Sequence, residues 1–505
     1  VGQHELLAEL EALLDRTKDG QGGCLLLGGV SGAGKTRVVM ECSVAAGRRA
    51  FRVVTGGSQP LSGGQVGDPR FGEPLHVFKP FLQAVADECR HRGPEETERL
   101  LGARGPVLAL YQESLRDLPG QESWPEPPRL PPVAARERLL RCLVETLAAF
   151  CAREPALLVM DDLQWADELS LGALDFLRQG GLSGMSLLVV GTYRTEELDA
   201  ALRQLVQAPG VEHRTLGQMD APVVARMVED MLALAAPPAS FVHFLTLRSA
   251  GNPFFVAEYL RTAIDERLLY RDVFGRWQVA AGDHTLERLH EALPLPGVLS
   301  DLVGRRLEGL GADARALLEV AAVLGRELEG DVLTGAAGLG DAQELEALEE
   351  LRARHVLEDA GGSRLRFVHD KLRETAYEGI PAVRRRSLHR DVALALEAQD
   401  VWGGVSPALY PVLAHHWEQA QDDVWTFEYL EKAGAHALAA GSNLEASGYL
   451  RRALALEIQR GQDRGVRLGA DRRARWQRML SEAMHGLSDF DASIAHAEHA
   501  LAELG

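Results

Sequence analysis

The run Gly29-Val30-Ser31-Gly32-Ala33-Gly34-Lys35-Thr36 constrains this chain more than any other stretch of it. It fits the spacing G-x-x-x-x-G-K-[ST] and stands between a short apolar run, Cys24–Leu27, and a helical pattern. A strand, a glycine-rich turn and a helix are therefore expected in that order. The chemistry accounts for each residue type. Gly29, Gly32, Ala33 and Gly34 let backbone N–H groups turn inward around phosphate oxygens, and the helix adds the positive end of its dipole. Lys35 is expected to reach the β- and γ-phosphates as a point charge, and Thr36 to place its hydroxyl on Mg²⁺. Lysine is scarce, five among 54 basic residues, so its place here is not a matter of composition. Arg37, counted with the nucleotide contacts, stands where a dinucleotide-binding G-x-G-x-x-G pattern would need its last glycine.

Two further segments suit the same site. Leu157-Leu158-Val159-Met160-Asp161-Asp162 reads as a buried strand that delivers acids at its carboxyl end, where open α/β sheets bind ligands. Asp161 is expected to hold Mg²⁺, directly or through water, and Asp162 to orient or deprotonate an attacking water. A strand that simply ends in a turn or helix cap would carry the same acids. Leu188-Val189-Val190-Gly191-Thr192-Tyr193-Arg194 is a second such strand, and its Arg194 is placed to sense a γ-phosphate. An arginine in a surface loop remains the alternative there.

Strands alternating with helices predict a doubly wound parallel sheet in residues 1–217, carrying an irregular Gly- and Pro-rich insertion over 57–132 with one helix near Phe78–Cys89. From about 218 the pattern is helical: a lid over 218–293, then a winged-helix unit over 294–384 with a strand at Arg364–Val368. Helical hairpins follow over 385–505. There GSNLEASGYLRRAL resembles SDFDASIAHAEHAL, aligning Ala453 with Ala500, and the long period calls for an extended turn around Gly461–Gly469. The last helix ends in mid-array, so further repeats are expected. The net charge of −19 argues against a wholesale basic surface for nucleic acid, and Arg384-Arg385-Arg386 reads as a solvated helix face. Five scattered cysteines without a C-x-x-C pair predict neither a disulfide framework nor a zinc site, and His415-His416 lacks partners for a metal. With no apolar run of membrane length, a cytoplasmic chain without membrane contact is expected.

GVSGAGKTR, LLVMDDLQWAD, VVGTYR, GNPFF and FVHDKLRETAYE together resemble the signal-transduction ATPases with numerous domains, a branch of the AAA-type superfamily. The resemblance implies an α/β P-loop NTPase domain followed by a helical lid, a winged helix and tetratricopeptide-like repeats. It implies ATP or ADP with Mg²⁺ as ligands. Val1 and Gly2 would lie against the adenine, the loop Gly251-Asn252-Pro253 would close over it, and His369 would sense the phosphates. The family's usual V-G-R-E opening is Val1-Gly2-Gln3-His4 here, which removes an arginine from that contact. The expected activity is slow ATP hydrolysis that works as a switch. Its partner would be a signalling protein or small effector on the repeats, with nucleotide-dependent assembly of like chains and no direct DNA contact. Two other readings share these motifs: a nucleotide-stabilised scaffold, or the regulatory region of a larger transcription regulator or serine/threonine kinase.

Overall fold

In the computed structural model the described residues are 4–57, 74–233, 237–279, 304–361, 363–399, 405–464 and 468–505, save positions 122, 123, 129, 181, 183, 266, 268, 274–276 and 305. Val1 and Gly2 lie outside them.

Five parallel strands form the first sheet: β1 (Gly23–Gly29), β2 (Arg52–Gly57), β3 (Ala156–Asp161), β4 (Leu187–Arg194) and β5 (Glu212–Leu216). Their spatial order is β2-β3-β4-β1-β5. The three inner strands are apolar on both faces because both faces are covered. Cys24, Leu26, Leu158, Met160 and Val189 point to one side, where helices Pro132–Cys151 and Glu168–Gly180 pack. Leu25, Leu27, Leu157, Val159, Leu188 and Val190 point to the other, against helices His4–Lys18 and Lys35–Arg48. This is the doubly wound P-loop NTPase sheet that the sequence predicts. Strand β4 runs four residues further than its apolar core suggests, so Thr192 and Arg194 are held by the ladder rather than by a loop.

The insertion needs correcting. Over 74–121 it is helical, with Lys79–Arg92, Pro94–Leu100 and Gly105–Leu108 burying Phe81, Leu82, Val85, Leu100 and Leu108 against the first sheet face. Prolines misled the reading of this segment: Pro80, Pro94 and Pro106 stand at helix starts, where a missing N–H costs nothing.

Helices Ala221–Leu232, Ala239–Ser249 and Pro253–Asp265 build a lid with its own core of Val224, Phe241, Leu245, Val256 and Tyr259. A short hairpin, β6 (Leu269–Arg271) and β7 (Trp277–Val279), follows it. Next comes the helix–strand–helix–helix–strand–strand order of a winged helix: Ala312–Leu324, β8 (Glu327–Glu329), Gly330–Ala337, Asp341–Ala353, β9 (Leu357–Gly361) and β10 (Arg364–Phe367), with sheet order β8-β10-β9. Helices Asp370–Glu378 and Ala382–Ala398 lead into an array of Tyr410–Gln419, Asp423–Ala439, Asn443–Arg464, Ala470–Gly486 and Phe490–Leu504. Winged unit and array share one continuous core, from Leu317 through Trp417 to Trp476. Ala453 and Ala500 are both buried, as their matched positions require. The excess length between them is helix through Arg464, not turn. Arg384 pairs with Glu319 at 3.3 Å, and Arg385 donates to the Ile380 carbonyl at 3.0 Å.

The array also returns to the domain of the five-stranded sheet. Tyr111 donates its hydroxyl to the Ala440 carbonyl at 2.6 Å. Beside it two helix starts cap one another. The Glu168 N–H donates to Glu445 Oε1 at 2.6 Å, while the Leu444 N–H donates to Glu168 Oε2 at 3.1 Å. Each side chain thus accepts an N–H from the first turn of the other's helix. Burial, with Asp167 and Glu168 close by, pushes Glu445 up to about 8 from its ordinary 4.5. An acid raised on docking favours the docked state while protonated. That contribution is complete below about 4.5 and is lost as pH rises through about 8. The first thermal transition should therefore fall by several degrees between pH 7 and 9, and in Glu445→Gln it should stay level over that range.

Candidate nucleotide site

The glycine-rich run forms a turn between β1 and helix Lys35–Arg48. Gly32 sits at φ +78° and Gly34 at φ +93°, the left-handed region that side chains rarely adopt. At Gly32 space is lacking as well, since a Cβ would come within 2.8 Å of Asn252 Oδ1. No side chain caps the start of the helix at Gly34, so its first amides face the loop. Lys35 is buried and folds back to donate to the carbonyls of Gly29 at 2.8 Å and Val30 at 3.1 Å. Burial lowers its pKa, while Asp162, Glu196 and Asp161 hold it up. A buried cation beside a glycine-rich turn and the start of a helix fits a polyphosphate.

Beside it, Thr36 Oγ1 stands 3.4 Å from Asp161 Oδ2. Thr192 on the neighbouring strand donates to Asp161 and accepts the Asp162 N–H at 3.0 Å. Two hard oxygen donors at the carboxyl edge of the sheet fit Mg²⁺. Asp162 adopts φ +59° and turns its buried carboxylate under the strand ends. There Gln164 donates to it at 2.9 Å, Arg326 from the winged helix pairs with it at 2.7 Å, and Arg194 lies 3.7 Å away. Burial and the adjacent Asp161 push the Asp162 carboxyl up, against the pull of both guanidiniums.

Arg194 is equally engaged. Its backbone N–H donates to Gln164 Oε1 at 3.0 Å, its guanidinium lies over the Trp165 ring at 4.4 Å, and it pairs with Glu197 at 3.0 Å and with Asp370. Arg326 meets Asp370 too, at 3.3 Å. Asp162, Arg326, Asp370 and Arg194 therefore form one alternating ring of charge, two members from the sheet and two from the winged-helix side. Burial alone would lower both arginines, but Asp370 and Asp162 outweigh it and raise them.

The lid closes the remaining side. Asn252 Nδ2 donates to the Ser31 carbonyl at 2.8 Å, and its Oδ1 accepts the Phe254 N–H at 3.0 Å. Gly251 allows that approach at φ +66°, where a Cβ would strike the Met219 carbonyl at 2.3 Å. A cavity of about 250 Å³ opens here, lined by Ser31, Ala33, Glu196, Gln218, Asn252 and Pro253. His369 stacks on Phe254 with ring centroids 3.6 Å apart. Its Nδ1 accepts the Lys371 N–H at 3.1 Å, which leaves the proton on Nε2. Burial pulls its pKa down to about 4, so the ring is neutral at physiological pH.

The structure thus gathers Gly29, Gly32, Ala33, Gly34, Lys35, Thr36, Asp161, Asp162, Arg194, Pro253 and His369 around one turn. Arg37 is not among them, for it points outward and pairs with Glu41 at 2.5 Å. Its place one residue past Thr36 on the helix turns it away from the loop. Sequence reasoning missed Arg326, Asp370, Gln164 and Glu196. Gln164 and Asp370 lay inside the motifs LLVMDDLQWAD and FVHDKLRETAYE, whereas Arg326 carried no local signal.

Residues 1–190 match the family described as AAA ATPase domain. This part of the chain is similar to AAA ATPase domains. An uncharacterized protein of Rhizobium meliloti (strain 1021) is 25% identical over 483 residues, covering 90% of this chain and 42% of that protein. Among solved structures, a signal transduction ATPase with numerous domains carrying a tetratricopeptide repeat sensor, from Pyrococcus horikoshii, is 12% identical with a TM-score of 0.48, over all of this chain and 65% of that one. The RuvB Holliday junction branch migration motor of Thermotoga maritima is 13% identical with a TM-score of 0.31, over 75% of this chain and 96% of that one. The chain therefore spans less than half of the curated relative and about two thirds of the Pyrococcus structure. No helix among the described residues is long and apolar enough to cross a membrane.

Proposed function

We propose that the chain is a slow ATPase of the signal-transduction type, a switch in which ATP or ADP sets whether the winged helix and repeat array stay docked on the P-loop domain. The ring of Asp162, Arg326, Asp370 and Arg194 carries this reading. It ties the candidate base and the candidate γ-phosphate sensor to the winged-helix side, so neither is at liberty while the ring is closed. In the closed form Lys35 and the loop amides hold a diphosphate, the Gly251-Asn252-Pro253 loop covers it, and neutral His369 offers its Nε2–H to a phosphate oxygen.

A third phosphate competes with Asp370 for Arg194. A signal on the array loosens the same docking from the far side, through Glu168 and Glu445. With Arg326 withdrawn, Asp162 accepts a proton from the water that attacks the γ-phosphorus, giving ADP and inorganic phosphate. Mg²⁺ held at Thr36 and Asp161 would neutralise phosphate charge. The open form offers the array to a signalling protein or small effector, and to further copies of the chain.

Asp162→Asn keeps the shape of the site and removes the base. It should retain bound ATP and turn it over about a hundredfold more slowly. A single-turnover assay with Mg-ATP measures this, and equal rates for variant and wild type would remove the catalytic assignment.

A further inference from the structure

The loop that follows β4 sends a second charged residue to the site, and the ring of charge does not use it. Arg194 turns under the sheet edge, whereas Glu196, two residues on, reaches up to the glycine-rich turn. Its Oε1 accepts the Ser31 N–H at 2.8 Å. That amide belongs to the set that a P-loop turns toward phosphate oxygens. Glu196 also lines the cavity shared by Val30, Ser31, Ala33, Asn252 and Pro253. Its charge acts on the Lys35 ammonium from that side, with Asp161 and Asp162 acting as well.

We propose that Glu196 is a specificity-determining residue of the phosphate site, an anion already seated at the mouth of the P-loop that sets the preference for nucleoside diphosphate over triphosphate. This rests on the nucleotide-switch reading above. The amides of Gly32, Gly34, Lys35 and Thr36 suffice to cradle a diphosphate, since the Ala33 N–H is spent on the Val30 carbonyl at 3.1 Å, and the Ser31 amide then stays with Glu196. A third phosphate extends past Lys35 toward the ends of β3 and β4, the edge from which Glu196 reaches in. Two anions cannot share that amide at close range. The carboxylate must swing away or repel the incoming charge, and either cost falls on the triphosphate alone. The neighbouring arrangement adds to the discrimination, since Arg194, the cation that would welcome the third phosphate, is held by Asp370.

The test uses the full chain stripped of nucleotide, titrated calorimetrically with Mg-ADP and Mg-ATP as wild type, Glu196→Gln and Lys35→Ala. Glu196 is exposed, so its substitution leaves the fold intact. Glutamine keeps the hydrogen-bond acceptor and removes the charge. The ratio of the ATP to the ADP dissociation constant should fall by about tenfold in Glu196→Gln, with the ADP constant nearly unchanged. A ratio that does not move, or two constants that shift by the same factor, overturns the assignment. If wild type binds neither nucleotide, the switch reading fails and the assignment with it. If wild type binds both and Lys35→Ala neither, the reading stands and the ratio alone decides the role of Glu196.

Discussion

Lys35→Ala should empty the site. Wild-type protein, denatured and resolved by ion-exchange chromatography, is expected to release close to one nucleotide per chain, mostly ADP, and the variant none. The ammonium is buried and held by two loop carbonyls at 2.8 and 3.1 Å, so it is oriented before any ligand arrives. Truncating one side of a buried charge pair costs roughly 3 kcal/mol or more, which is a hundredfold or more in affinity. The variant should nonetheless fold, because alanine removes a desolvated charge and leaves the apolar neighbours Ala33, Val38 and Val39 in place. Lost nucleotide with an intact thermal transition therefore identifies the phosphate site. If neither protein carries nucleotide and neither binds added Mg-ATP, the switch fails and a repeat-based scaffold remains.

Arg326→Ala should act in the opposite sense and release the latch. Arg326 bridges Asp162 at 2.7 Å and Asp370 at 3.3 Å, and it is the residue that brings winged-helix charge onto the candidate base. Its removal leaves two carboxylates facing each other in the closed form with Arg194 as their remaining guanidinium. Breaking a buried pair from one side destabilises that form by roughly 3 kcal/mol, about a hundredfold in the closed-to-open equilibrium. ADP should dissociate many times faster, and ATP turnover should rise about tenfold or more. Arg326→Lys, a point charge that cannot span both acids, should fall between the two. Unchanged ADP release in Arg326→Ala would show that the ring does not gate the site.

The candidate phosphate site was legible in the sequence because its parts are local. Eight consecutive residues define the P-loop, and the apolar runs before Asp161 and Arg194 announce inner parallel strands. What it hid depends on chain folding back over long distances. Arg326 is 164 residues from Asp162, and nothing around Gly325-Arg326-Glu327 sets it apart from dozens of other arginines. The polar edge strand β5 escaped because three of its five residues are exposed, which leaves no apolar period to read. Helices in the insertion escaped for the opposite reason: their prolines read as breaks although they mark starts. Glu445 looked like any acid at the head of a repeat helix until Glu168, 277 residues away, was found beside it.

That last contact has a consequence for how the two ends of the molecule must communicate. Helices Glu168–Gly180 and Asn443–Arg464 each lend the other the carboxylate that completes its first turn, so neither start is fully satisfied alone. Glu168 follows Asp162 by six residues on the same continuous chain segment. On the proposed switch, docking of the array and filling of the site enter one thermodynamic cycle. Any ligand of the array that weakens ADP binding by a given factor must itself be bound more weakly, by the same factor, when ADP is present. Occupancy of either end can be read by titrating the other.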